Sequence, residues 1–219
     1  MSRILVIAPK RVAEGTWSRE VGKWQHLTSL RISIVLGTLN ERKKALAAPA
    51  DIYVINRENV QWLVDYYTKP PHEGGKWPFD CVVIDELSSF KNHQAKRFRP
   101  LCTVRPLIKR VIGLTGTPAP NGLIDLWAQV YLLDRGERLY KRIGQYRERY
   151  FAPDKRNQQT VWTWKLREGS EQAIRDKIGD ICMSMRAADY LSLPDTIIAD
   201  VPVVLGKPAL LAYKKLEQE

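Results

Sequence analysis

Three features of this 219-residue sequence predict an α/β fold built on a mostly parallel sheet. Several short runs are apolar at nearly every position, as in strands buried on both faces of a parallel sheet. Stretches with apolar residues at helical spacing separate those runs, the alternation expected where helices cross between parallel strands. A pair of carboxylates, Asp85 and Glu86, directly follows one run. In open α/β sheets ligands lie just beyond the carboxyl ends of the strands, so this pair stands where a ligand would be.

The chain opens with Arg3-Ile4-Leu5-Val6-Ile7-Ala8, a buried strand ending at Pro9-Lys10-Arg11. Helical spacing follows, and Trp17, Val21 and Trp24 at i, i+4 and i+7 predict a face packed on the core. Two basic residues at a strand's carboxyl end either meet an anionic ligand or are simply solvated. Residues 32–36 read as a strand, 40–47 as a short helix and 51–55 as a further strand. Asn56-Arg57-Glu58-Asn59 ends that strand and is expected to cap a helix running to Tyr67. Pro70-Pro71 and Gly74-Gly75 mark 68–78 as a surface loop.

The central stretch is Phe79-Asp80-Cys81-Val82-Val83-Ile84-Asp85-Glu86, then Leu87-Ser88-Ser89-Phe90-Lys91-Asn92. Adjacent carboxylates after a buried strand suit a nucleotide site: the first holds Mg²⁺ through its water shell, and the second takes a proton from an attacking water. The same pair also reads as an N-cap and first-turn acid of a following helix. Between Lys91 and Arg110 there are seven basic residues and no acid. A helix expected over 93–101 spreads Lys96, Arg97 and Arg99 over more than one face, as a phosphate-contacting surface or as a solvated one.

A second anchor is Arg110-Val111-Ile112-Gly113-Leu114-Thr115-Gly116-Thr117-Pro118, an apolar strand ending in a hydroxyl-bearing turn. If the two strands are neighbours, Thr115 and Thr117 reach across to Glu86. The run from Leu123 to Leu133 predicts a largely buried helix. From 135 to 156 there are eight basic and three acidic residues, interleaved with Tyr140, Tyr146, Tyr150 and Phe151. Such a segment suits nucleic-acid contact by neutralisation and stacking, or a helical insertion whose aromatics form a small core of their own. Residues 160–164 alternate like an exposed hairpin strand. A helix at 171–178, strands at 181–184 and 196–205, and an amphipathic helix at 208–219 complete the expectation.

Val82-Val83-Ile84-Asp85-Glu86 with Phe90-Lys91-Asn92, then Leu114-Thr115-Gly116-Thr117-Pro118 and Leu126-Trp127, resembles the Swi/Snf-like branch of superfamily two helicases and translocases. Ser88-Ser89-Phe90-Lys91-Asn92 and Pro120-Asn121-Gly122 are similar to its bacterial and phage members. The likeness covers roughly residues 3 to 205 and implies a RecA-like first motor domain with a basic helical and hairpin insertion. It implies domains at 1–134 (core), 135–194 (insertion) and 195–219 (last strand and linker helix). By the same likeness Asp85 and Glu86 correspond to the Walker B, or DEAD/DEAH-box, pair, with Asp85 on Mg²⁺ through water. Thr115, Gly116 and Thr117 correspond to the motif coupling hydrolysis to nucleic acid. Pro9, Lys10, Arg11, Asn56, Arg57, Lys91 and Asn92 fall at positions facing nucleic acid. ATP and Mg²⁺ are the implied cofactors, and DNA is the implied partner.

Composition agrees with a nucleic-acid partner: 35 Lys and Arg against 24 Asp and Glu leave a net charge of +11. No apolar run approaches the ~20 residues that span a bilayer, and the first residues lack a signal-peptide pattern. Cys81, Cys102 and Cys182 are widely spaced and the chain has only three His, so disulfide frameworks and zinc sites are unexpected and a reducing cytoplasm fits.

A Walker A loop, Gly-x-x-x-x-Gly-Lys-Ser/Thr, is absent: Lys23, Lys76 and Lys207 follow glycines but precede Trp24, Trp77 and Pro208. Hydrolysis is thus expected only if a second polypeptide supplies that loop and a second motor domain. The alternatives are an ATPase-inactive nucleic-acid-binding module, or the product of a broken gene whose first strand is left beside an unpaired edge.

Overall fold

The computed structural model describes residues 3–71, 75–155, 161–185 and 205–217, together with 199 and 202. The chain divides into two compact units, Met1–Cys182 and Met183–Glu219.

The first unit is organised by a five-stranded parallel sheet in the order β2-β3-β1-β4-β5. Its strands are β1 (Arg3–Ala8), β2 (Ile32–Val35), β3 (Ile52–Asn56), β4 (Phe79–Asp85) and β5 (Arg110–Leu114). Strand β1 is central, paired with β3 on one side and β4 on the other, and Leu5 to Ala8 are wholly buried. The expected unpaired edge beside the first strand is therefore corrected. Among the described residues β5 is an edge strand, and its Ile112 and Leu114 are 40% and 44% exposed.

Helices follow the strands. Helix α1 (Lys10–Lys23) seats through its first half, where Ala13 is buried and Val12 and Trp17 pack with Val6 and Val54. Trp24 does not join that face. It is the C-cap, its backbone is extended at φ −111°, and its ring is 55% exposed, because helical spacing stops one residue before it. Helix α2 (Leu39–Ala47) opens with a capping box in which Thr38 and Glu41 satisfy each other's backbone N–H groups.

The predicted cap at 56–59 is a 3₁₀ turn, Arg57–Asn59, ahead of α3 (Val60–Thr68), and no side chain there caps the helix. Asn56 donates to Glu58 Oε2 at 2.8 Å instead. The helix expected over 93–101 is displaced to α4 (Phe98–Val104). Asn92 Oδ1 accepts the Gln94 N–H at 2.9 Å, a local turn that competes with helix, and the buried residues that anchor one, Phe98, Pro100, Leu101 and Val104, begin only at 98.

The run after Pro120 forms a 3₁₀ turn, Leu123–Asp125, and then α5 (Leu126–Asp134). Arg105, buried between α4 and β5, donates to the carbonyls of Leu132, Leu133 and Ile108 at 2.5, 2.5 and 2.9 Å, closing the end of α5. Beyond it come α6 (Ile143–Tyr150), an antiparallel pair β6 (Phe151–Pro153) and β7 (Trp164–Leu166), and α7 (Ser170–Ile178). Tyr146, Tyr150, Phe151 and Ile174 are buried in the same core as Leu5, Ile55 and Leu63. The interleaved aromatics thus pack, and they join the main core rather than one of their own.

Residues 181–184 form no strand: the Ile181 N–H bonds to the Ile178 carbonyl, extending the end of α7, and the next residues are exposed. The strand expected over 196–205 lies almost wholly outside the described residues, as does Thr160 of the expected hairpin. The second unit contains α8 (Lys207–Leu216). No helix among the described residues is long and apolar enough to cross a membrane.

Candidate functional site

Because the strands are parallel, their carboxyl ends share one edge, and the register fixes what meets there. Ile7 is level with Ile55 on one side and Ile84 on the other, and Asp85 is level with Leu114. Pro9-Lys10-Arg11, Asn56-Arg57, Asp85-Glu86 and Thr115-Gly116-Thr117 therefore all fall at or just past this edge, although they span more than a hundred residues of sequence.

Glu86 is the most constrained of them. Its backbone is left-handed, φ 59° and ψ 62°, a conformation that costs a side-chain-bearing residue about 1–2 kcal/mol. That turn aims its carboxylate sideways at β5, where Thr115 Oγ1 donates to Glu86 Oε1 at 3.0 Å, and Ser88 Oγ donates to the same oxygen. Thr117 does not reach Glu86. Its backbone N–H donates to Thr115 Oγ1 at 3.2 Å, so the turn holds the hydroxyl that holds the acid. Gly113 makes this approach possible, since a Cβ there would lie 2.3 Å from Leu87 Cδ2. Glu86 does not serve as a helix cap: only a 3₁₀ turn, Leu87–Phe90, follows it, with no side-chain cap bond.

Asp85 is half-buried at the end of β4, and Trp17 Nε1 donates to its Oδ2 at 3.2 Å. Among the described residues it has no ion-pair partner, whereas Asp51, Asp80 and Asp125 pair with Arg31, Lys109 and Lys91. A lone carboxylate whose charge is not neutralised fits the way Mg²⁺ is held, through one or two carboxylates, water and substrate oxygens. No group of three or more His, Cys, Asp or Glu among the described residues forms a protein cage for a metal.

The basic candidates differ in availability. Lys10 and Arg11 are exposed, and Lys10 lies 3.9 Å from Glu14 on the next turn, a loose surface pair. Asn56 is 7% exposed and bonded to Glu58 and Asn59, so it organises the turn, while Arg57 Nε is held by Glu58 Oε1 at 2.9 Å. Burial tends to raise the Glu58 pKa, yet the bonds from Arg57 and Asn56 hold it below the usual range. Lys91 lies 3.5 Å from Asp125, and Asn92 is exposed. Sequence reasoning missed Ser88 as a donor to Glu86, and it missed Trp17. The helical spacing of Trp17 marked it as packing, and nothing in the pattern pointed to the indole N–H.

A family profile described as SNF2-related domain matches residues 1–188. Putative protein p41 of Acyrthosiphon pisum secondary endosymbiont phage 1 is 33% identical over 98% of this chain and 47% of its own length. The DNA repair and recombination protein RDH54 of Saccharomyces cerevisiae is 26% identical over 80% of the chain and 19% of its own length. The chain thus spans less than half the length of these curated relatives. Among solved structures, the Sulfolobus solfataricus SWI2/SNF2 ATPase core in complex with dsDNA superposes with a TM-score of 0.51 at 25% identity, over 68% of this chain and 28% of that one. The parallel sheet, the motif order along its carboxyl edge and the profile match agree: this chain belongs to the SNF2-related domain family.

Proposed function

We propose that this chain is the DNA-gripping and carboxylate-bearing part of the first motor domain of an ATP-driven, Snf2-type DNA translocase. The observation that carries this reading is the Thr115–Glu86 hydrogen bond, which joins the acid after β4 to the turn after β5 at the edge that also carries Lys10 and Arg11. Lys10 and Arg11 neutralise backbone phosphates of duplex DNA, with Arg57, Lys91 and Asn92 extending the contact and Asn56 shaping it. The relative solved with dsDNA supports a duplex as the partner. In the completed motor Asp85 would hold Mg²⁺ through its water shell, and Glu86 would be the acceptor for a proton from the attacking water. When bound, Mg²⁺ neutralises phosphate charge. Thr115, with Gly116 and Thr117, ties the orientation of Glu86 to movement of the β5 turn.

The residues of this chain do not form a phosphate cradle for ATP, since none of its Gly-Lys pairs continues into the required hydroxyl residue. No hydrolytic step follows for the chain alone. In the motor reading, a phosphate-binding loop and a second motor domain would be supplied by another segment or by a second polypeptide. The missing cradle also supports a second reading, an ATPase-inactive DNA-binding module. Joining the chain to those two parts separates the readings: DNA-stimulated ATP hydrolysis that Glu86→Gln abolishes supports the motor, and DNA binding with no hydrolysis supports the module.

A further inference from the structure

Trp17 and Asp85 are 68 residues apart in sequence, yet the Trp17 indole N–H donates to Asp85 Oδ2. The fold dictates this meeting. Strands β1 and β4 are adjacent and parallel, so α1, which starts just after β1, begins beside the end of β4. Trp17 lies seven residues into the helix, about 10 Å along its axis. Helical side chains lean toward the helix N-terminus, and the long indole is therefore directed back to the strand ends, where Asp85 lies.

Packing alone does not require this residue. Trp17 is half-buried against the cluster containing Val6, Ala13 and Val54, a place any large apolar side chain fills. What tryptophan adds is one N–H donor that carries no charge and does not ionise at ordinary pH. A Lys or Arg at this distance would orient Asp85 and also cancel its charge, as Lys91 does for Asp125 and Lys109 for Asp80. The indole fixes one carboxylate oxygen and leaves both the negative charge and the second oxygen to a ligand.

We propose that Trp17 is a positioning residue for a divalent cation at Asp85, holding the carboxylate by a neutral hydrogen bond so that its free oxygen faces the cation's water shell. This rests on the reading of Asp85 as the Mg²⁺-facing carboxylate. Partners that orient a metal-facing group in this way change cation affinity by roughly tenfold or more when removed.

The test uses Mn²⁺ as the probe, the 219-residue protein and its seven tryptophan indole resonances, with that of Trp17 identified by its loss in Trp17→Phe. Asp85→Ala is expected to shift the Trp17 indole signal alone, and low Mn²⁺ is expected to broaden that signal before the other six. Mn²⁺ affinity, read from the resonance of free Mn²⁺ by electron paramagnetic resonance, is expected to fall about tenfold in Trp17→Phe. Val12→Ala, which removes apolar packing of the same helix, is expected to leave it unchanged. A Trp17 signal indifferent to Asp85→Ala, or equal Mn²⁺ affinity in Trp17→Phe, overturns the role of Trp17. Mn²⁺ that binds Asp85→Ala as well as wild type, or binds neither, overturns the cation reading of Asp85 itself and the proposal with it.

Discussion

The Thr115 hydroxyl donates to the Glu86 carboxylate at 3.0 Å across the boundary between β4 and β5, while its own oxygen accepts the Thr117 N–H. Two turns that leave neighbouring strands are thereby locked to one another through a single side chain. Thr115→Val keeps the shape and removes the donor. In a motor completed with a phosphate-binding loop and second domain, DNA-stimulated hydrolysis is expected to fall about tenfold with unchanged DNA affinity, while Glu86→Gln costs at least about a hundredfold. Steady-state rates alongside duplex titrations check both.

Gly113→Ala places a methyl group 2.3 Å from Leu87 Cδ2, inside the pleat that brings β5 close to the Glu86 turn. Leu87 is buried, so it must leave its rotamer or push the turn outward. A loss of about 1–3 kcal/mol in unfolding free energy is expected from denaturant titration.

Arg105→Met keeps the aliphatic stem and strands three carbonyls, those of Leu132, Leu133 and Ile108. Each orphaned buried acceptor costs about 1 kcal/mol or more, giving a total near 3 kcal/mol. Burial, and then the nearby Arg135, lower the Arg105 pKa while Asp134 raises it; the guanidinium stays charged and serves as a forked donor to the three carbonyls. Arg105→Lys, with fewer and unforked donors, is expected to recover only part of the loss.

Alkaline pH acts on buried groups. Burial pushes the Cys102 thiol up from 9.0 to about 11 and the Tyr67 hydroxyl from 10.0 to about 12. Both folded values lie above the unfolded ones, so the stability they contribute is complete below the unfolded values and is lost as pH rises through the folded ones. The wild-type melting temperature is expected to decline between pH 9 and 11, and Cys102→Ala to decline less over that interval.

How much of this was legible in the sequence depends on whether a residue's role is local. Strands β1, β3 and β4 are apolar at nearly every position because both faces are covered, and that pattern is visible without a structure. The Asp85-Glu86 pair and the Thr115 turn were legible for the same reason: each follows such a strand directly. Thr115 reaching Glu86 required only that β4 and β5 be neighbours, and they are. The position of α4 was not legible, because the Asn92–Gln94 turn takes residues whose composition is otherwise helix-compatible. The burial of Asn56 depends on Glu58 and Asn59 folding back over it, which propensity does not encode. Trp17 was legible as an apolar position but not as a donor, since its acceptor is brought to it only by sheet order.

The most direct measurement is binding of the 219-residue protein to a labelled DNA duplex across a salt series, for wild type and for Lys10→Ala with Arg11→Ala. Affinity is expected to fall steeply and linearly in log–log form as salt rises, and the double variant is expected to bind more weakly with a slope shallower by about two. Binding that ignores salt, or a slope the double variant leaves unchanged, contradicts a DNA-gripping turn at the carboxyl end of β1.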